Sequence, residues 1–140
     1  MDVYLDASVI VALLTNDALT GRARTFLQSG PLTLRISDYA AAEVASVIAR
    51  RVRTHDLTEA EARASFDSFD QWTQTFALPV ETAPGDIAMA AGFIRRLDLT
   101  LRAPDAINIA IARRLGIALA TFDKGMASCA ATLGVAVAPA

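Results

Sequence analysis

A single cysteine, a single histidine and a single lysine stand in this chain of 140 residues, and each scarcity closes a class of chemistry. Cys129 alone cannot form an internal disulfide, and with His55 it leaves too few soft ligands for a Cys/His zinc site. Any metal must therefore sit among oxygens. One histidine also leaves no acid–base pair of the kind that histidine-based ribonucleases use. Long hydrophobic runs are missing as well. The longest, Ala7 to Leu14, covers under half of the roughly 20 residues that a membrane-spanning helix needs. It follows Asp2 and Asp6 instead of a cationic leader, so no secretory signal and a cytoplasmic location are expected. Walker-A and dinucleotide-type glycine patterns are absent too.

What is present is apolar: 54% of the residues are hydrophobic at a net charge of −2, the reverse of a disordered composition and enough for one domain, 1–140, with a real core. Lys124 is the only lysine among the 13 basic residues, the rest being arginine.

Hydrophobic spacing and turn residues give an alternation of strands and helices. A strand over 2–6 runs directly into apolar helix-length sequence. A helix over 18–28 ends at Ser29-Gly30-Pro31, and a strand follows over 32–36. Ser37 or Asp38 caps a helix with the stripe Val44, Val47, Ile48 and Val52, reaching about His55. Thr58 and Glu61 have the form of a capping box opening a helix with Phe66, Phe69, Trp72 and Phe76 on one side, a core or dimer stripe. The segment 78–81 contains Pro79 and is expected at a sheet edge. Helices over 84–97 and from Pro104 to about 115 come next. Then follow a strand over 117–121, a helix over 124–133 and a last strand over 135–137. Alternation of this kind implies an α/β fold, three layers deep, with a mostly parallel sheet of about five strands.

In such sheets ligands gather beyond the carboxyl ends of the strands. Asp6 ends the first strand and Asp123 lies just past the fourth. Two further acids occupy apolar helices: Glu43, one turn before Val47 and so bordering the buried stripe, and Asp105, at a helix start. Singly, each has a plainer role. Asp105 and Asp123 suit helix caps, Asp6 suits a strand end, and Asp38 and Asp86 are expected to be caps. Jointly, they pose an electrostatic problem. Two carboxylates at about 4 Å repel by roughly 4 kcal/mol at an effective dielectric of 20, and few lysines are available to offset it. One or two hard dications, Mg²⁺ or Mn²⁺, would solve it. The chemistry then expected is phosphodiester hydrolysis by cation-activated water, leaving a 5′ phosphate.

The four acids in their order and context resemble those of PIN domains, and most of all the VapC ribonuclease toxins of type II toxin–antitoxin pairs. The elements are Asp6-Ala7-Ser8 after the first strand, the isolated helical Glu43, Asp105-Ala106 opening an apolar helix, and Thr121-Phe122-Asp123 after the next strand, with no departure in these motifs. The match spans nearly all of the chain. This resemblance implies a sheet order 3-2-1-4-5 and divalent-dependent cleavage of RNA, with structured RNAs such as tRNA among the implied substrates. It further implies homodimerisation and inhibition by a cognate antitoxin. By position, Asp6, Glu43, Asp105 and Asp123 become the catalytic and metal-binding residues, supported by Ser8 and Thr121 through hydrogen bonds. Asn108, one turn from Asp105, is a candidate for orienting a water, beside a packing or capping role.

Arg50 and Arg51 crowd the end of the Glu43 helix, where they suit either the helix dipole or an RNA phosphate. His55 is expected to complement the same helix terminus. Two other readings stay open. A non-catalytic PIN-like module would bind RNA or protein without turnover. A haloacid-dehalogenase-like phosphatase would need a second aspartate where this chain has Ser8.

Overall fold

The computed structural model describes residues 1–140. The first strand, β1 (Asp2–Leu5), passes at Asp6 into helix α1 (Ala7–Leu14). Val3, Tyr4 and Leu5 are all inaccessible to solvent, as befits a central strand covered on both faces. Helix α2 (Thr20–Leu27) and strand β2 (Thr33–Ser37) follow. Helix α3 (Asp38–Arg53) is capped by Ser37, whose hydroxyl accepts the Ala40 amide. Helix α4 (Glu59–Phe76) opens on the expected capping box between Thr58 and Glu61. Then come β3 (Ala77–Val80), α5 (Pro84–Arg95), α6 (Ala103–Leu115), β4 (Ala118–Ala120) and α7 (Lys124–Thr132). Gly116 ends α6 in the left-handed conformation that favours glycine.

The sheet is wholly parallel in the order β3-β2-β1-β4. Pro79 falls in β3, on the edge, where a missing amide costs no ladder bond on the open side. The fifth strand expected at 135–137 does not form. Val137 makes one isolated parallel bridge to Leu119, on the flank of β4 where that strand was expected. The amide of Leu119 pairs with the Ala136 carbonyl and the amide of Ala138 with the Leu119 carbonyl, too few bonds for a strand.

Several side-chain expectations are corrected. Val47 is 36% exposed although Val44 and Ile48 are buried, so the α3 stripe is narrower than its spacing suggested. Phe76, at 62% exposure, likewise leaves the α4 stripe, whereas Phe69 is buried and Phe66 and Trp72 pack against the core. Asp38 does not cap α3. Its carboxylate accepts the amide and hydroxyl of Thr82, tying the start of α3 to the segment after β3. His55, at φ 64, turns the chain in the left-handed region just beyond α3.

Asp86 does accept the Ala83 amide at the start of α5, at 2.8 Å, but it is more than a cap. Its side chain is solvent-inaccessible and grips Arg114 of α6 through two bonds of 2.7 and 3.0 Å. Burial pushes the Asp86 carboxyl up, yet the Arg114 and Ala83 donors outweigh it and hold the group below the usual carboxylate range. The pair therefore adds stability above about pH 3.9 that is lost as pH falls through the lowered value. Replacing Arg114 by Met should destabilise the fold by about 2–3 kcal/mol in urea unfolding. This is less than a fully buried pair would lose, because Arg114 is itself partly exposed. An unchanged unfolding midpoint would contradict that account.

Candidate active site

Asp6 is placed by the transition from β1 to α1. Its amide bonds the Ala120 carbonyl, which fixes it against the end of β4, and its Oδ1 caps α1 by accepting the Val9 amide at 3.2 Å. The same oxygen accepts the Ser8 hydroxyl at 2.6 Å, and Oδ2 accepts the Thr121 hydroxyl. Ser8 Oγ in turn receives the Phe122 amide at 3.0 Å and Thr121 Oγ1 receives the Asp123 amide at 3.0 Å. Ser8 and Thr121 thus hold Asp6 and also shape the turn that carries Asp123. Burial raises the Asp6 pKa, against the pull of the Ser8 and Thr121 hydroxyls and the nearby amides.

Glu43 projects from α3 and is held from α6. Asn108 Nδ2 donates to Glu43 Oε1 at 2.7 Å and to the Pro104 carbonyl at 3.0 Å, while Asn108 Oδ1 accepts the Tyr4 hydroxyl at 2.6 Å. Tyr4 has one proton, committed to Asn108, so in its 2.6 Å bond with Ser37 the serine must donate. Ser37, Tyr4, Asn108 and Glu43 therefore form a directed chain in which Asn108 can present only its NH₂ to Glu43. Burial raises the Glu43 pKa, Asn108 opposes it, and the charges of Asp6 and Asp105 add to the rise.

Asp105 lies in the first turn of α6 and does not cap it. The cap position is Arg102, and the Asp105 carboxylate accepts no well-formed hydrogen bond. Its pKa is raised by burial and then by Asp123, against the charge and amide of Arg102. Asp123 does cap α7, through Oδ1 to the Met126 amide at 2.9 Å, and is exposed.

The four acids are thus electrostatic neighbours in series, Asp6 with Glu43, Glu43 with Asp105, and Asp105 with Asp123. No three of them stand close enough in this structure to hold one ion. None forms a salt bridge, and Glu43 Oε2 and Asp123 Oδ2 accept no hydrogen bond. A row of hard oxygen donors with unbalanced charge and free lone pairs fits a divalent cation of the Mg²⁺ class. Exposure increases along the row, from the buried Asp6 through the partly buried Glu43 and Asp105 to the exposed Asp123. A cavity of about 410 Å³ between α4 and β3 includes Ser37 and Asp38 but none of the four.

Arg50 and Arg51 lie elsewhere. Arg50 is seven residues beyond Glu43 on α3, about 10 Å along the axis. Arg51 points to Asp17 after α1, at 3.7 Å. Sequence reasoning missed Tyr4 and Ser37 as parts of the site. The one available signal was a tyrosine in a strand otherwise suited to complete burial, since a buried phenol needs a partner.

The chain belongs to the PIN domain family, whose model matches residues 3–131. Solved structures agree on the fold. VapC20 of Mycobacterium tuberculosis, described as a toxin that cleaves the sarcin–ricin loop, superposes with a TM-score of 0.73 at 20% identity, over 90% of this chain and 93% of that one. FitAcB of Neisseria gonorrhoeae gives a TM-score of 0.69 at 22% identity, over 96% and 95%. VapBC-1 of nontypeable Haemophilus influenzae gives 0.69 at 13%, over 98% and 96%. No curated protein sequence matches the chain. No helix is long and apolar enough to cross a membrane.

Proposed function

We propose that this PIN-domain chain is a divalent-metal-dependent endoribonuclease of the VapC type, the toxin of a toxin–antitoxin pair, inhibited by its cognate antitoxin and acting as a homodimer. The observation that carries the nuclease reading is the row of four carboxylates beyond β1 and β4, none of which forms a salt bridge. The VapC, VapBC and FitAcB folds support the toxin reading.

Asp6, Glu43, Asp105 and Asp123 would hold one or two Mg²⁺ or Mn²⁺ ions. Such an ion supplies charge neutralisation at the phosphate and a water acidic enough to attack near neutral pH. The rest is the work of the chain. Ser8 and Thr121 lock both oxygens of Asp6, so that the innermost carboxylate needs no reorganisation on binding. Asn108 fixes Oε1 of Glu43 and leaves Oε2 free. That oxygen, with its raised proton affinity, is the atom suited to accept a proton from the attacking water. Asp105 and Asp123 face outward, where an RNA strand would lie.

Purified protein should cleave single-stranded RNA in Mg²⁺ or Mn²⁺ to products with 5′ phosphates, and EDTA or Asp6→Asn should each abolish cleavage. Activity that survives both would rule out the metal site, and tight RNA binding without cleavage would establish a non-catalytic module instead. Co-expression with a small upstream DNA-binding protein should relieve growth arrest if the pairing holds.

A further inference from the structure

The carboxylate row explains how a cation would be held but not how a polyanion is gripped in so acidic a place. Two side chains outside the acidic motifs adjoin its middle members, Glu43 and Asp105. Tyr39 lies on the first turn of α3, four residues before Glu43 and therefore on the same helix face. Its ring packs half-buried against the core, which fixes its direction. Its only hydrogen bond outside the helix ladder is from its amide to Asp38, at 2.8 Å, so the phenol hydroxyl is unpartnered. Burial raises the pKa of that phenol first, and the charges of Glu43 and Asp105 add to the rise, so the hydroxyl keeps its proton. Arg102 stands one turn before Asp105, exposed, with no ion pair and no capping bond, and it is the only cation that pulls on Asp105. The arginines at the far end of α3 do not have this position.

We infer that Tyr39 and Arg102 are substrate-positioning residues of this site, the phenol O–H and the guanidinium each donating to non-bridging oxygens of RNA backbone phosphates beside Glu43 and Asp105. This rests on the nuclease reading. A donor without charge suits the inner position, where a cation would compete for the carboxylates. A guanidinium suits the rim, where it can meet a phosphate through two parallel bonds.

The test is steady-state cleavage of a labelled single-stranded RNA by wild type, Tyr39→Phe, Arg102→Gln and Arg102→Lys, over a series of salt concentrations. Tyr39→Phe keeps the packed ring, and Arg102 is exposed, so the fold should persist. Each of Tyr39→Phe and Arg102→Gln should raise KM about tenfold or more, the loss of at least one hydrogen bond to a charged group, with kcat changed far less. Arg102→Gln should also lower the slope of log KM against log salt by about 0.7, one phosphate contact on a single strand, and Arg102→Lys should restore that slope. Tyr39→Phe should leave the slope unchanged. Wild-type cleavage with KM moved less than twofold in both variants overturns this inference alone. A wild type that cleaves no RNA in either metal overturns the nuclease reading and this inference with it.

Discussion

Asp105→Asn should lower RNA cleavage by about 100-fold or more while raising the melting temperature of the metal-free protein. The first effect follows from removing one charged oxygen donor from a site built on charge, where single stabilising groups commonly contribute that much. The second follows from the sign of the pKa shift. Burial and Asp123 raise the carboxyl pKa of Asp105 in the folded state, so the fold disfavours the ionised form. Above the raised value the ionised group costs stability. As pH falls from there to the unfolded value near 3.9 that cost disappears. Asparagine keeps the shape without the charge and should melt higher than wild type at pH 7 in the absence of metal. With Mg²⁺ or Mn²⁺ present the order should reverse, because the wild type gains binding energy that the variant lacks. Differential scanning fluorimetry with and without metal reads both effects. A variant that melts lower than wild type in EDTA would show that Asp105 is a structural acid and not one held at a cost.

Asn108→Ala should cost the fold about 3–5 kcal/mol in urea unfolding and most of the activity besides. The side chain is 1% exposed, and its loss takes from the buried Tyr4 hydroxyl one of its two partners, from Glu43 its donor and from the Pro104 carbonyl a side-chain bond. Each buried group left short of a partner costs about 1–3 kcal/mol, and the small cavity adds to it. Tyr4→Phe should cost less, because Ser37 can turn its proton elsewhere, although Asn108 Oδ1 loses its partner. Since both residues act in one directed chain, the double variant should fall well short of the summed losses. Additive losses in that cycle would mean that the hydrogen bonds from Tyr4 to Glu43 do not act as a unit.

Much of the architecture was legible in the chain itself, for a local reason. Thr58 and Glu61 announce a helix start because the capping box is satisfied within four residues. Pro79 announces an edge because one missing amide is enough to exclude the sheet centre. Asp6 and Asp123 stood out because they follow strands at the end where ligands gather, and Glu43 and Asp105 because each interrupts an apolar helix, which costs free energy unless something at that place requires charge. Other features depended on partners far away. Asp38 looked like a cap, but its carboxylate turns to the amide and hydroxyl of Thr82, 44 residues later. Val47 fits the helical stripe, but no neighbouring element covers it. The segment 135–137 has strand-like residues yet finds only one bridge on the outer flank of β4.

Residue type and short-range spacing alone determined the alternation of strands and helices, the absence of soft-ligand or disulfide chemistry, and the identity of the four acids, because these follow from composition and from periods of two and 3.6 residues. Only the tertiary structure decided that Tyr4, Ser37 and Asn108 govern the orientation of Glu43, and that Asp86 is paired with Arg114. Hydrogen bonds act over about 3 Å, and which residues come that close, such as Tyr4 and Asn108 at a separation of 104, is set by the order of the strands and the path of α6 across them.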